Sequence, residues 1–183
     1  MIPDNDLPSP LWVFGYGSLL WNPGFEVAEE RLARLDGYHR AFCMSSIHHR
    51  GTEENPGLVL ALDAEKDASC QGVALRVMPG QEPEVLAALR ERELISSAYF
   101  EAVVTLHAEA HAPFQALAYV IDREHVQYCG GLTLERQAEI IAHAHGGRGP
   151  NTEYLFNTAD HLAELGIADP DLAWLAARLR NEA

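Results

Sequence analysis

Through the first two-thirds of the chain, apolar residues fall in short runs or alternate with polar ones, the period expected of strands. Leu11–Gly15 is a short apolar run that leads straight into a glycine-flexed loop, Tyr16–Gly17–Ser18. Gly37–His48 alternates weakly and carries aromatics, and reads as a second strand. Leu58–Asp63 and Gly72–Met78 are predicted as two further strands, with the polar segment Ala64–Ser69 turning between them. Tyr99–His107 and Phe114–Asp122 return to β character on either side of a turn centred on Ala112–Pro113. One helix interrupts this series: over Glu82–Glu93, Val85, Leu86 and Leu89 share a face and Pro83 suits the first turn.

The texture then becomes helical. Thr133–His145 carries a stripe of Leu134, Ala138, Ile141 and His145, stopped by Gly146–Pro150. Asn151 is placed to cap a helix running to about Leu165, and Asp169 or Pro170 opens a last one with Leu172, Leu175 and Leu179 on one face. The pattern predicts an α+β fold, a small mixed sheet or barrel flanked by helices. Residues 1–10, with their prolines and aspartates and no apolar period, read as a flexible leader, and residues 11–183 as one domain.

Composition narrows what such a domain does. Twenty-seven acidic residues against thirteen basic ones give a formal charge of −14. That field repels nucleic-acid phosphates and anionic lipid, so neither is an expected partner. No apolar run approaches the ~20 residues of a membrane span. Cys43, Cys70 and Cys129 are far apart and never form a C-x-x-C pair, which points to a reduced, cytoplasmic setting.

Nine histidines raise a metal site, but their spacing argues against one. His48 and His49 point to opposite faces of a strand, and His143 and His145 lie about 200° apart around a helix. No H-E-x-x-H occurs, and no metal or other cofactor is expected.

Four segments invite chemistry, each beside a plainer alternative. Gly15–Tyr16–Gly17–Ser18 lacks the lysine of a P-loop and the third glycine of a dinucleotide fingerprint. It is either a structural turn or a backbone cradle for an anion or oxyanion. Arg90–Glu91–Arg92–Glu93 is either a solvated charged face or a boundary where Glu93 turns inward, since Leu94–Ile95 follow it. Arg50, in His49–Arg50–Gly51, is either a surface residue or a carboxylate clamp. Gly149–Leu155 reads as a turn and first helical turn, from which Tyr154 could also reach a ligand.

Together these segments resemble the ChaC family of glutathione-specific γ-glutamylcyclotransferases. The resemblance rests on Val13–Phe14–Gly15–Tyr16–Gly17–Ser18–Leu19, His49–Arg50–Gly51, and Arg92–Glu93 followed by Tyr99. It continues through Gly130–Gly131, Ala138–Glu139–Ile140 and Asn151–Thr152–Glu153–Tyr154–Leu155, in order and with similar spacing from about Leu11 onward. It implies a γ-glutamylcyclotransferase-like fold, and cleavage of glutathione to 5-oxoproline and cysteinylglycine without a cofactor. The family's substrate loop matches Val13, Phe14, Gly15, Tyr16, Gly17, Ser18 and Leu19, and its catalytic glutamate matches Glu93. Arg50 is the expected partner of a substrate carboxylate and Tyr154 of a hydroxyl contact.

That reaction fits a chain with no nucleophile motif. The α-amine of a γ-glutamyl amide attacks its own γ-carbonyl, so the enzyme needs to fold the substrate and move protons. Two rival readings are a cyclotransferase for other γ-glutamyl amides and a non-catalytic regulator of cation transport. No protein partner can be inferred.

Overall fold

The computed structural model describes residues 1–181. It contains seven strands and four helices: β1 (Trp12–Gly15), β2 (Val27–Ser46), β3 (Gly57–Val77), α1 (Glu82–Glu93), β4 (Tyr99–His107), β5 (Phe114–Ile121), α2 (Leu134–His143), β6 (His145–Gly146), β7 (Gly149–Pro150), α3 (Asn151–Glu164) and α4 (Pro170–Arg180). The first five strands close into a barrel in the order β1-β3-β2-β4-β5, with β3 also pairing with β5. None of the described helices is long and apolar enough to cross a membrane.

The chain divides into two compact units, Met1–Arg40 with Leu62–Val126, and Ala41–Ala61 with the chain from Gln127 onward. In the first unit β4 and β5 form an eight-pair antiparallel ladder from Tyr99↔Ile121 to Leu106↔Phe114. β1 pairs antiparallel with β3, Trp12 opposite Arg76, and parallel with β5, Val13 opposite Leu117. Alternation decides the interior. Trp12, Phe14, Leu35, Leu62, Val104, Leu106, Ala116, Ala118 and Val120 pack together inside the barrel. Val13, Leu117, Tyr119 and Ile121, in the opposite phase, are buried as well. A strand covered on both faces reads as an unbroken apolar run, which is how Leu11–Phe14 and Ala116–Ile121 appear in sequence.

The leader of this unit is held by specific contacts. Asp4–Asp6 forms a single 3₁₀ turn, the Ile2 N–H donates to Glu101 Oε2 at 2.7 Å, and Arg90 Nη1 meets Asp4 Oδ1 at 2.7 Å.

In the second unit the segment after Gln127 runs along the end of β2: the Ser45 N–H donates to the Gln127 carbonyl and the Cys129 N–H to that of Cys43, both at 2.8 Å. α3 buries Tyr154, Leu155, Thr158 and Leu162 along one stripe, and α4 buries Leu172, Leu175, Ala176 and Leu179.

Three expectations are corrected. β3 is continuous from Gly57 to Val77, with no turn at Ala64–Ser69. Those residues are polar because they are exposed on both faces, and a left-handed Asp67 (φ 68°) bends the strand without ending it. Asn151 does not cap α3. Pro150 holds that position, and the buried Asn151 amide instead accepts from the Leu58 N–H and donates to the Leu58 carbonyl, both at 2.7 Å. His145 lies beyond the end of α2, in the β6–β7 hairpin, and is exposed.

Candidate active site

In the first unit β1 delivers the chain at Gly15 into a tight turn. Gly17 precedes a single 3₁₀ turn, Ser18–Leu20, closed by the Leu20 N–H donating to the Gly17 carbonyl at 3.0 Å. A Cβ on Gly72 would overlap the Gly15 carbonyl and stand 2.9 Å from the Phe14 ring, so glycine there lets β3 approach the loop. The loop is anchored at both ends of Tyr16: its hydroxyl donates to the Tyr119 carbonyl at 2.7 Å, and its carbonyl accepts from Arg40 Nη1 at 3.0 Å. Of Val13 to Leu19, only Ser18 is not fully buried. The side chains of Val13 and Phe14 belong to the barrel wall, so polar chemistry here comes from backbone and the Ser18 hydroxyl.

α1 brings the charged quartet to this loop. Arg90, Arg92 and Glu93 turn inward, and Glu91 alone is exposed. Arg92 gathers three groups: Nη2 donates to Ser18 Oγ at 2.8 Å, Nη1 to the Asn22 carbonyl at 2.7 Å, and Nε lies 3.1 Å from Glu93 Oε1. The side chains of Arg92 and Glu93 are only 14% and 17% exposed, so this contact works at a lower effective dielectric than a surface pair. A single guanidinium thus fixes the loop and the carboxylate relative to each other. α1 ends at Glu93 as the chain turns toward β4, which leaves the carboxylate at the helix boundary rather than along a solvated face.

Two further groups of this unit were not foreseen. Tyr119 lies opposite Glu101 across the β4–β5 ladder. Burial, reinforced by the negative charges of Glu101 and Glu93 and opposed by Arg90, pushes the Tyr119 phenol well above its ordinary range. Glu101 and Arg90 form a buried pair, Nε to Oε1 at 2.7 Å and Nη2 to Oε2 at 3.2 Å, and these bonds raise the Arg90 guanidinium further despite its desolvation. Tyr119 sits in an apolar run that hides it among core residues. Glu101 did carry a signal: it is a charge in phase with the buried Tyr99 on an alternating strand.

Arg50 and Tyr154 belong to the second unit, where the structure brings them together. The Arg50 side chain is 7% exposed, so it is no surface residue. Its Nη1 donates to the Pro150 carbonyl at 3.0 Å and meets Glu153 Oε1 at 3.2 Å, and the guanidinium carbon stands 5.8 Å from the Tyr154 ring centre. The Tyr154 hydroxyl accepts from the Leu60 N–H at 3.2 Å. The loop bearing His49–Gly51 lies close against the β6–β7 hairpin: a Cβ on Gly146 would stand 2.5 Å from the His49 carbonyl oxygen and the Gly51 nitrogen.

Comparison with known proteins identifies the family and the fold. The model of the ChaC-like protein family matches residues 11–182. A glutathione-specific γ-glutamylcyclotransferase of Escherichia coli is 36% identical over 163 residues, covering 89% of this chain and 70% of that protein. Human glutathione-specific γ-glutamylcyclotransferase 1 is 35% identical over 167 residues, covering 90% and 75%. The crystal structure of a yeast γ-glutamyl cyclotransferase specific to glutathione superposes with a TM-score of 0.83 at 25% identity, covering 95% of this chain and 99% of that one. A fold that closes the same barrel, and a family match that runs from the first strand to the last helix, place this chain in the ChaC-like family.

Proposed function

We infer that this chain cleaves glutathione to 5-oxoproline and cysteinylglycine, the activity named for its relatives in Escherichia coli and human. The observation that carries the reading is the inward Glu93 carboxylate, linked through Arg92 to Ser18 of the glycine-flexed loop. Glu93 takes a proton from the substrate α-ammonium. The freed amine attacks the γ-carbonyl carbon, and a five-membered lactam forms as the C–N bond to the cysteinyl residue breaks. The carboxyl proton and the second proton of the attacking nitrogen both pass to the departing nitrogen, which leaves as the ammonium of cysteinylglycine, so the lactam is neutral and the carboxylate is regenerated. Because the nucleophile is the substrate's own, the protein's main contribution is to hold the γ-glutamyl chain folded, a proximity effect of several kcal/mol or more.

In this reading the turn from Tyr16 to Leu19 presents backbone N–H groups to the developing oxyanion or the α-carboxylate, and Val13–Gly15 hold it rigid. Arg50 and Tyr154 supply the remaining substrate contacts. The setting is the cytoplasm, where the three free cysteines stay reduced.

The test is incubation of wild type and Glu93→Gln with reduced glutathione, read by mass spectrometry. Both products from wild type, and none from a folded Glu93→Gln, are expected. Turnover at the wild-type rate by Glu93→Gln would remove Glu93 from the mechanism. Cyclisation of γ-glutamyl-alanine with no action on glutathione would move the substrate to other γ-glutamyl amides.

A further inference from the structure

Cys43 and Cys129 are far apart in sequence, yet the fold sets them across from each other. In the second unit the segment after Gln127 pairs antiparallel with the end of β2, with Met44 opposite Tyr128. Three bonds of 2.8 Å fix that register: the Ser45 N–H to the Gln127 carbonyl, the Cys129 N–H to the Cys43 carbonyl, and Gln127 Nε2 to the Ser45 carbonyl. One step along each segment from the Met44–Tyr128 pair, Cys43 therefore stands opposite Cys129. Residues opposite each other in an antiparallel pair project to the same face. At a position bridged by a ladder bond, as here, their Cα atoms lie about 5.5 Å apart, inside the roughly 4.4–6.8 Å that a disulfide spans.

The two thiols differ in access. Cys43 is buried, 2% exposed, whereas Cys129 is half-buried, so a small molecule meets Cys129 first. Burial also raises the Cys129 thiol to about 11, which keeps it protonated and slow to react at neutral pH. In a reducing setting the pair therefore rests as a dithiol.

We propose that Cys43 and Cys129 form a redox site, a cross-strand dithiol that a small disulfide oxidises to an intramolecular disulfide. The Cys129 thiolate attacks one sulfur of the small disulfide, whose S–S bond breaks and releases one thiol. Cys43 then attacks the Cys129 sulfur of that mixed disulfide and expels the second thiol. Two electrons and two protons pass from the protein to the two thiols released. Each cysteine sits just inside a point, Ala41 or Gln127, where the chain enters the second unit. The new bond encloses residues 44–128, and closing so long a loop restricts the unfolded chain far more than the folded one. The oxidised protein is therefore the more stable. This site stands apart from the acid/base reading of Glu93.

The test incubates the native protein with bis(2-hydroxyethyl) disulfide, which carries no γ-glutamyl group for the protein to act on. Remaining thiols are then blocked and tryptic peptides are mapped without reduction. Each cysteine falls on its own peptide, Cys43 in residues 41–50, Cys70 in 67–76 and Cys129 in 124–136. The expected product joins 41–50 to 124–136 within one chain and leaves Cys70 as a blocked thiol. Its melting temperature is expected to lie about 5–10 °C above that of the reduced protein. Cys43→Ala is expected to stop at the mixed disulfide on Cys129, and Cys70→Ala to cross-link as wild type does. Should Cys43→Ala fail to fold, the wild-type map alone decides the linkage. A mixed disulfide on wild-type Cys129 that never proceeds to Cys43, a bond through Cys70 or between two chains, or no reaction of the native protein over days would overturn the proposal. So would a cross-link that leaves the melting temperature unchanged or lowers it, because that bond would not fit the native register.

Discussion

Each unit holds an arginine set against a glutamate at the end of a helix, and the two pairs are built differently. Arg92 reaches from α1 to Ser18 and Asn22 across 74 and 70 residues of sequence, and its carboxylate partner Glu93 is mostly buried. Arg50 binds Pro150 and Glu153 at the first turn of α3, and that glutamate is 53% exposed. A half-exposed carboxylate is solvated whether or not the arginine is present, so the second pair mainly fixes where a helix begins. In the first pair, removing the arginine frees both a buried carboxylate and a loop. The contrast separates a pair whose loss uncovers a mostly buried carboxylate, the proposed acid/base, from a pair whose carboxylate stays solvated.

The sharpest way to break that contrast is at the carboxylates themselves. Glu93→Gln is expected to lower kcat by roughly 10²–10⁴, the range for a positioned proton carrier, with the melting temperature little changed. Glu153→Gln is expected to leave kcat within about twofold, because its partner keeps the Pro150 carbonyl. Steady-state assays of the two side by side test it, and equal losses would erase the distinction between the units.

Next comes Arg92. Arg92→Lys keeps the charge near Glu93 and loses the fork that holds Ser18 and Asn22 simultaneously. A fall in kcat/KM on the order of 10-fold is expected, and a larger one for Arg92→Ala. If lysine restores full activity, charge alone matters and the loop is held by other means.

The second unit answers to stability. Asn151→Ala removes both bonds to Leu58 from a fully buried site and is expected to cost about 2–3 kcal/mol, seen as a lowered denaturant midpoint. Asn151→Asp keeps the acceptor for the Leu58 N–H but sets a charge against the Leu58 carbonyl, and should be no better. Arg50→Ala is expected to be milder, about 1–2 kcal/mol, through the lost bond to Pro150 and packing on Tyr154. As a proposed substrate contact Arg50 is also expected to raise KM when removed, and an unchanged KM in Arg50→Ala would take it out of the site.

How well these features could be read from sequence depended on whether their signals were local. α1 and α4 follow from leucine spacing and a proline at the start, and their buried residues are the ones the period selects. β4 and β5 follow from alternation bounded by a Pro-containing turn. β3 did not, because a strand exposed on both faces has no period, and polarity at Ala64–Ser69 looks the same in a turn. Asn151 has the chemistry of a helix cap, but a partner 93 positions away took its amide. The Glu93 motif was visible as a pair with Arg92. The bond from Arg92 to Ser18 was not, since nothing in either segment encodes the distance between them.

The smallest effect concerns the cysteines, where the two units also differ. Cys70 is buried in the barrel core, whereas Cys129 lies half-buried beside the end of β2, with burial pushing its thiol up from 9.0 to about 11. At neutral pH that leaves about 100-fold less thiolate than an ordinary cysteine carries, so partial exposure does not confer reactivity. Because the folded-state value is raised, the thiol's contribution to stability is whole below pH 9.0 and is lost as pH climbs toward 11. An aromatic disulfide reagent at pH 7.5 is therefore expected to titrate no cysteine quickly in the native protein and all three after denaturation. A single rapid native thiol would place Cys129 in the open, and would mean that a protein whose proposed substrate is itself a thiol carries a site for mixed disulfides with it.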